Sequence, residues 1–252
     1  MRILSSLTLL LLATPTLAEE TRVVVRALAQ DGKFVGTSMG GAQVVLRDAE
    51  TGEVLARGVT SGTTGDTQRL MKQPRTRGMR LSDEKAAKFE TTLDLDEPRL
   101  VTVEVSGPEA QPQARITSST QVWMIPGRHL TGDGLIVTLP GFVVDALEPR
   151  AHERLALDGK KLDVPVRANL VLMCGCPTEP GGLWDSSRYE LQAVVKRDGK
   201  PFTTVPLSYA GKTSLYEGRV PVQEKGAYEV LVTAYDPRTG NTGVDRTTFL
   251  VE

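Results

Sequence analysis

Apolar and polar residues alternate through almost the whole of this chain, and that alternation limits the possible fold more than any other feature of the sequence. From Tyr189 to Lys196 every second residue is apolar and most of the others are polar. Asp198-Gly199 then turns the chain into another such stretch, Phe202 to Leu207. A period of two is that of a β-strand with one buried face. Short strands separated by regular turns predict an all-β sandwich protein.

The length of the chain and its proline and glycine residues predict two domains. After removal of an N-terminal segment, the rest of the 252 residues suits two domains of ordinary size better than one. Pro140-Gly141 and Glu148-Pro149 interrupt the alternation, so the boundary is expected near residues 145–149. The predicted architecture is two tandem β-sandwich domains, residues 19–146 and 147–252.

The first 18 residues have the features of a cleaved signal peptide. Arg2 supplies a positive charge, Ile3 to Ala13 is a short apolar core, and Thr16-Leu17-Ala18 offers the small residues that signal peptidase needs. Cleavage is expected after Ala18. No later run approaches the roughly 20 apolar residues of a membrane helix, so no membrane span is expected. The predicted location is the periplasm.

Charge narrows the class of partner. The formal net charge is −1, which argues against nucleic acid as a ligand. One irregular stretch between residues 60 and 89 is nevertheless rich in Arg and Lys, and it includes Arg75 and Arg77. A loop of this kind is either a solvated insertion or a contact surface for an acidic partner. Arg75 and Arg77 are therefore candidate partner contacts.

The only two cysteines, Cys174 and Cys176, are the one hint of chemistry in the chain. In an extended backbone their side chains point to the same face, so both sulfurs can meet an ion or each other. A disulfide this short would contribute only about 1.6 kcal/mol through loop entropy. Two thiolates with the thioether of Met173 would form a soft donor set for Cu(I), and a strained bridge could exchange with other thiols.

The residues after the cysteines form a Pro- and Gly-rich loop that ends in Trp184. If it is exposed, Trp184 is a candidate anchor for a partner. If it is buried, it fills the core of the second sandwich, and the low aromatic content of 5% favours this alternative. Two apolar runs, Val122 to Ile125 and Leu135 to Leu139, flank Gly132-Asp133-Gly134 and predict a hairpin.

Two stretches resemble known modules. The segment Gly226 to Asp236, followed by Gly240-Asn241-Thr242-Gly243, resembles the last hairpin of bacterial immunoglobulin-like and fibronectin-type domains, with Tyr228 at the place of a corner tyrosine. Gly41 to Val54 is similar to transthyretin-like or carboxypeptidase-regulatory-like modules. Both resemblances imply binding or spacer modules without catalytic residues.

Three function classes follow from these features. The first is an exported, non-enzymatic accessory protein that presents the Cys-Gly-Cys loop to a periplasmic protein partner. The second is a protein that binds or delivers copper through Met173, Cys174 and Cys176. The third is a thiol-disulfide redox protein. With only His129 and His152 in the chain, a multi-histidine catalytic zinc site is excluded.

Overall fold

The computed structural model describes residues 18–159 and 161–252, and these residues form an all-β sandwich protein. The predicted fold class is confirmed. The signal peptide falls on residues 1–18, of which all but Ala18 lie outside the described residues. No helix among the described residues has the length and apolar character needed to cross a membrane.

The strands are β1 Glu19–Ala29, β2 Gln43–Asp48, β3 Val54–Val59, β4 Phe89–Leu95, β5 Arg99–Gly107, β6 Ile116–Met124, β7 Leu130–Leu139, β8 Phe142–Glu148, β9 Glu153–Leu155, β10 Leu162–Leu172, β11 Glu190–Arg197, β12 Lys200–Pro206, β13 Ser208–Tyr209, β14 Leu215–Val222, β15 Gly226–Tyr235 and β16 Thr242–Val251. Short 3-10 turns occur at Thr37–Met39, Pro112–Ala114 and Ser186–Arg188, and a π-type turn occurs at Gln68–Lys72.

The first unit, β1 to β7, has sheets in the order β4-β1-β7 and β3-β2-β5-β6. Burial follows the alternation of the sequence. In β5, Val101, Val103 and Val105 are buried while the residues between them are partly exposed. Such alternating burial is what a strand with one face in a sandwich core requires.

The hairpin predicted between residues 122 and 139 is wrong. β6 pairs with β5, whereas β7 pairs in parallel with β1 in the other sheet. Gly132 to Gly134 lie inside β7, where the register jumps between Val23 and Val25 of β1. Gly134 has φ +63°, and a Cβ there would lie 2.2 Å from the Val24 carbonyl oxygen. The glycines therefore form a bulge against β1 instead of a turn.

The second unit, β8 to β16, has sheets in the order β13-β14-β10-β8 and β12-β11-β15-β16-β9. β8 pairs with β10, so the change from one unit to the other falls at Pro140-Gly141, before the expected boundary at residues 145–149. Tyr228 is buried, and its hydroxyl donates to the Glu224 carbonyl at 2.7 Å, a corner-type hydrogen bond.

The two units share one core. A single continuous cluster of buried apolar side chains contains residues of both units. Polar groups also cross the boundary: the Asn241 side chain accepts a hydrogen bond from Gly141 N at 2.7 Å and donates one to Gln30 O at 3.1 Å. The chain therefore joins its two sandwiches through a packed junction and not through an exposed linker.

Candidate functional site

The Cys-Gly-Cys loop lies in the junction between the two units. It turns the chain directly after β10, and Cys174 and Cys176 form a disulfide with Cα atoms 5.3 Å apart. Only 2% of Cys174 and 3% of Cys176 is exposed. The loop that the sequence analysis placed at a partner surface is thus covered by the first unit.

Two glycines allow this close cover. A Cβ on Gly32 would lie 3.1 Å from Cys174 Sγ, and the next residue, Lys33, donates its backbone N–H to the same sulfur at 3.4 Å. Gly175 has φ +73°, and a Cβ there would lie 2.7 Å from Met39 Sδ. A side chain at Gly32 would crowd Ala29 and Cys174, and one at Gly175 would displace the Met39 side chain and would be strained by the positive φ.

The structure joins two of the three predicted soft-metal ligands, Cys174 and Cys176, in the disulfide. Met173 is buried, and its terminal methyl lies close to Gly141, where a Cβ would be 3.2 Å away. Met39 of the first unit instead brings its sulfur to the Cys174–Cys176 loop. Among the described residues there is no cluster of three or more His, Cys, Asp or Glu side chains that could hold a metal.

Trp184 also lies in the junction. It is 6% exposed, and its indole N–H donates to the Asp31 carbonyl oxygen at 2.8 Å. The expectation of a buried Trp184 agrees with this position, but the ring anchors the first unit and does not fill the second sandwich alone. Because so little of the ring is exposed, it is not available as a partner contact in this structure.

The loop that carries Trp184 is held by Asp185. Its carboxylate accepts hydrogen bonds from Gly181 N at 2.8 Å and from Ser187 N at 2.9 Å. These bonds favour the charged form and lower the pKa of Asp185 to about 2. The loop before Trp184 is therefore a defined structure, and it positions the indole against the first unit.

A cleft of about 540 Å³ opens beside the junction. Asp31 is in its wall, with a left-handed backbone at φ 56° and its carboxylate 3.9 Å from the Arg238 guanidinium. Burial raises the pKa of Asp31, and the charge of Arg238 partly opposes that rise. Arg75 and Thr239 line the same cleft, so residues of both units border it.

The predicted basic loop is a folded insertion with an exposed tip. Its base has a small core of its own, formed by Leu28, Phe34, Leu70, Ala86 and Ala87. Residues 72–78 are all exposed or nearly so. We call residues 69–80 the basic segment; its charged residues are Arg69, Lys72, Arg75, Arg77 and Arg80, and it contains no acidic residue. None of the five makes an ion pair with a described residue.

Buried Arg26 clamps one side of the insertion. Its guanidinium donates to the Ala86 carbonyl at 2.6 Å, the Ala87 carbonyl at 2.9 Å and the Gly132 carbonyl at 3.2 Å. The same group lies over the Phe34 ring, 5.6 Å from its centre. Burial lowers the pKa of Arg26. Arg26 is only 2% exposed. Its hydrogen bonds fix the backbone carbonyls that it binds, because losing these bonds would leave buried polar groups unpaired.

Asp133 holds the same arm of the insertion, directly after the basic segment. Its carboxylate accepts hydrogen bonds from Leu81 N at 2.7 Å, Ser82 N at 2.8 Å and Ser82 Oγ at 2.6 Å. Burial alone would raise the pKa of Asp133, but the bonds from Ser82 and Leu81 outweigh it and lower the pKa. The chain that follows the basic segment is therefore fixed at two points, by Asp133 at residues 81–82 and by Arg26 at residues 86–87.

Sequence reasoning missed Arg26, Asp133 and Asp31. A signal exists for Arg26, the single charge in the apolar run Val23 to Leu28. Asp133 was interpreted as part of a hairpin turn. Met39 is not predictable as a neighbour of the cysteines, because nothing in the sequence relates it to a loop 135 positions later.

Comparisons with known proteins leave the family open. No protein-family model matches the sequence, and no curated protein matches it. Among solved structures, an engineered protein matches 51% of this chain at 18% identity with a TM-score of 0.31, and the match covers 24% of that protein. A fragment of the ICAM-5 ectodomain, D1–D4, matches 96% of this chain at 11% identity with a TM-score of 0.27, over 52% of the fragment.

Proposed function

We propose that this protein is an exported, non-enzymatic accessory protein that binds an acidic surface of a periplasmic protein partner through the basic segment. Arg75 and Arg77, at the exposed tip, are the proposed contacts. The observation that carries the proposal is the group of five cations without an ion-pair partner among the described residues. Because the whole chain has a net charge of −1, this positive surface is a local feature.

The clamp at Arg26 and Asp133 supports the proposal. An anchored segment loses less conformational freedom on binding than a free loop, so more of the contact energy contributes to affinity. Clustered charges of one sign also steer an oppositely charged partner and raise the association rate. In this proposal the sandwiches, an N-terminal transthyretin-like module and a C-terminal immunoglobulin-like module, are the rigid mount, and the buried disulfide loop joins them.

A peptide-binding measurement with matched charge reversals tests the proposal. The probe is a fluorescent peptide of alternating glutamate and alanine, followed by anisotropy at low and physiological ionic strength. We expect Arg75→Glu/Arg77→Glu to weaken binding about tenfold, since each exposed ion pair contributes up to about 1 kcal/mol. The control Lys200→Glu/Arg219→Glu reverses two exposed charges of the second unit and should change binding less than twofold. Equal effects of the two double variants would reject the basic segment as the site.

A second candidate function, binding of Cu(I), is favoured by the position of Met39. When an external dithiol reduces the disulfide, two electrons and two protons convert it to two thiols and the dithiol becomes the oxidised product. Cys174 and Cys176, once deprotonated, and Met39 then offer three soft sulfur donors. The cover by the first unit makes this the second choice, because an ion must enter a buried junction.

Anaerobic titration of the reduced protein with Cu(I) separates this candidate from the first. We expect about one ion per chain for the wild type, weaker binding for Met39→Leu, and none for Cys174→Ser/Cys176→Ser. Unchanged affinity in Met39→Leu would remove Met39 from the ligand set. Thiol-disulfide exchange, the third class, has no favourable observation here, since both sulfurs are buried and exchange needs access to them.

A further inference from the structure

Eight strands lie at sheet edges in the described part of the chain, and seven of them carry a feature that hinders pairing with another chain. Natural edge strands are protected by charges, prolines, bulges or short length. The protecting features are Arg57 in β3, Glu90 and Asp94 in β4, the bulge in β7, Asp145 and Glu148 in β8, the three residues of β9, Pro201 and Pro206 in β12, and the two residues of β13.

The eighth edge, β6, has none of these features. Its sequence, ITSSTQVWM, contains no charged residue, proline or glycine. It pairs with β5 in one unbroken register over nine residues, so no bulge interrupts the strand. Five of the nine residues are exposed, and Trp123 is 58% exposed. No described residue pairs with that outer edge, which leaves a long row of free backbone donors and acceptors.

We propose that two copies of this chain associate by antiparallel pairing of their β6 strands about a two-fold axis at Thr120. In this register, which overlaps all nine residues, Ile116 faces Met124 and Thr117 faces Trp123. Residues of the inner face therefore meet inner-face residues, and outer-face residues meet outer-face residues, so both cores keep their burial pattern. A β-branched residue opposite an aromatic one is a favourable cross-strand pair.

The absence of charge favours a second copy as the occupant. Self-pairing of an edge strand places each side chain opposite one of the same set, so any charge near the axis would meet a like charge. The side chains nearest the axis, Ser119, Thr120 and Gln121, are neutral. The resulting sheet has eight strands and two copies of the basic segment. This inference stands independently of the proposed acidic partner.

Cysteine cross-linking at the axis tests the proposal. The only native cysteines are joined in the buried disulfide, so Thr120→Cys provides a single free thiol. Under mild oxidation this variant should form a covalent dimer at least tenfold faster than Thr92→Cys, a matched change at an exposed position of β4. Ser118→Cys should be slower than Thr120→Cys, because in this register its partner is Val122.

Sedimentation equilibrium completes the test without a cross-link. Ser119→Lys/Gln121→Lys places four lysines around the axis and should weaken dimerisation more than tenfold, with far-UV circular dichroism confirming that the variant is folded. The control Thr92→Lys should leave dimerisation unchanged. A monomeric wild type, together with equal cross-linking of Thr120→Cys and Thr92→Cys, would overturn the proposal and leave the β6 edge to a strand from another protein.

Discussion

Trp184→Ala should destabilise the whole protein, because the indole ties the two units together. The ring is almost fully buried and donates to the Asp31 carbonyl. Truncating a buried aromatic residue to alanine costs about 3–5 kcal/mol through lost burial and the cavity left behind. Trp184→Phe keeps most of the packing but leaves the carbonyl without its donor, so we expect a loss of about 1–2 kcal/mol.

Urea unfolding with two probes measures this effect. The chain has two tryptophans, exposed Trp123 and buried Trp184. In a Trp123→Phe background, fluorescence reports on the junction alone, while far-UV circular dichroism reports on all the sheets. Since one continuous core passes through both units, the two signals should change together in a single transition. The alanine and phenylalanine variants are compared by circular dichroism.

Two results would refute this reasoning. A loss below about 1 kcal/mol for Trp184→Ala would mean that the ring contributes no more than an ordinary surface residue. A fluorescence transition that precedes the circular dichroism transition would mean that the junction opens while both sandwiches remain folded. Trp123→Ala is the matched control at low protein concentration, and it should change the free energy of unfolding by less than about 0.5 kcal/mol.

Three further predictions follow from the same contacts. Reducing the disulfide between Cys174 and Cys176 should lower the free energy of unfolding by about 1.6 kcal/mol, the loop-entropy contribution of so short a ring. Urea unfolding curves with and without a dithiol measure this difference, and loss of the fold on reduction would contradict the prediction. The pKa of Asp185 is lowered to about 2, so its carboxylate stabilises the fold above the unfolded pKa, and this stabilisation is lost as the pH falls through 2. In thermal melts, Asp185→Ala should therefore lower the melting temperature more near pH 6 than near pH 2. Equal losses at the two pH values would contradict this role of Asp185. Arg26→Met should make trypsin cleave the basic segment more than tenfold faster, since the loss of hydrogen bonds from a charged donor costs about 1.5–3 kcal/mol. The control Arg219→Met should leave the cleavage rate unchanged. An unchanged rate in Arg26→Met would show that Arg26 does not hold the insertion.

The fold class was predictable because alternation is local. In β10, β11 and β15 the buried residues are every second one, and that pattern is visible without knowledge of the strands' partners. Strand pairing depends on distant residues. The glycines at 132 and 134 predicted a hairpin, yet β7 lies beside β1, which begins over a hundred residues earlier. Only the folded chain determines which sheet a strand joins.

The candidate site was predictable in part. Two cysteines so close together indicated a local disulfide or a shared ligand, and the disulfide is present. The sequence could not reveal that Gly32 and Met39 pack over the disulfide, because the close approach of two sandwiches leaves no periodic pattern in the sequence. The basic character of the insertion was evident, but the clamp formed by Arg26 and Asp133 depends on side chains that converge only after folding.

Photo-cross-linking in the periplasm tests the central claim, partner binding through the basic segment, most directly. A benzophenone amino acid replaces Arg77 in one variant and Arg219, on the second unit, in a control, and adducts are identified by mass spectrometry. We predict one discrete adduct from position 77, to a protein with an acidic surface, which disappears when Arg75→Glu is added. The absence of an adduct at position 77, or the same adducts from both positions, would contradict the account.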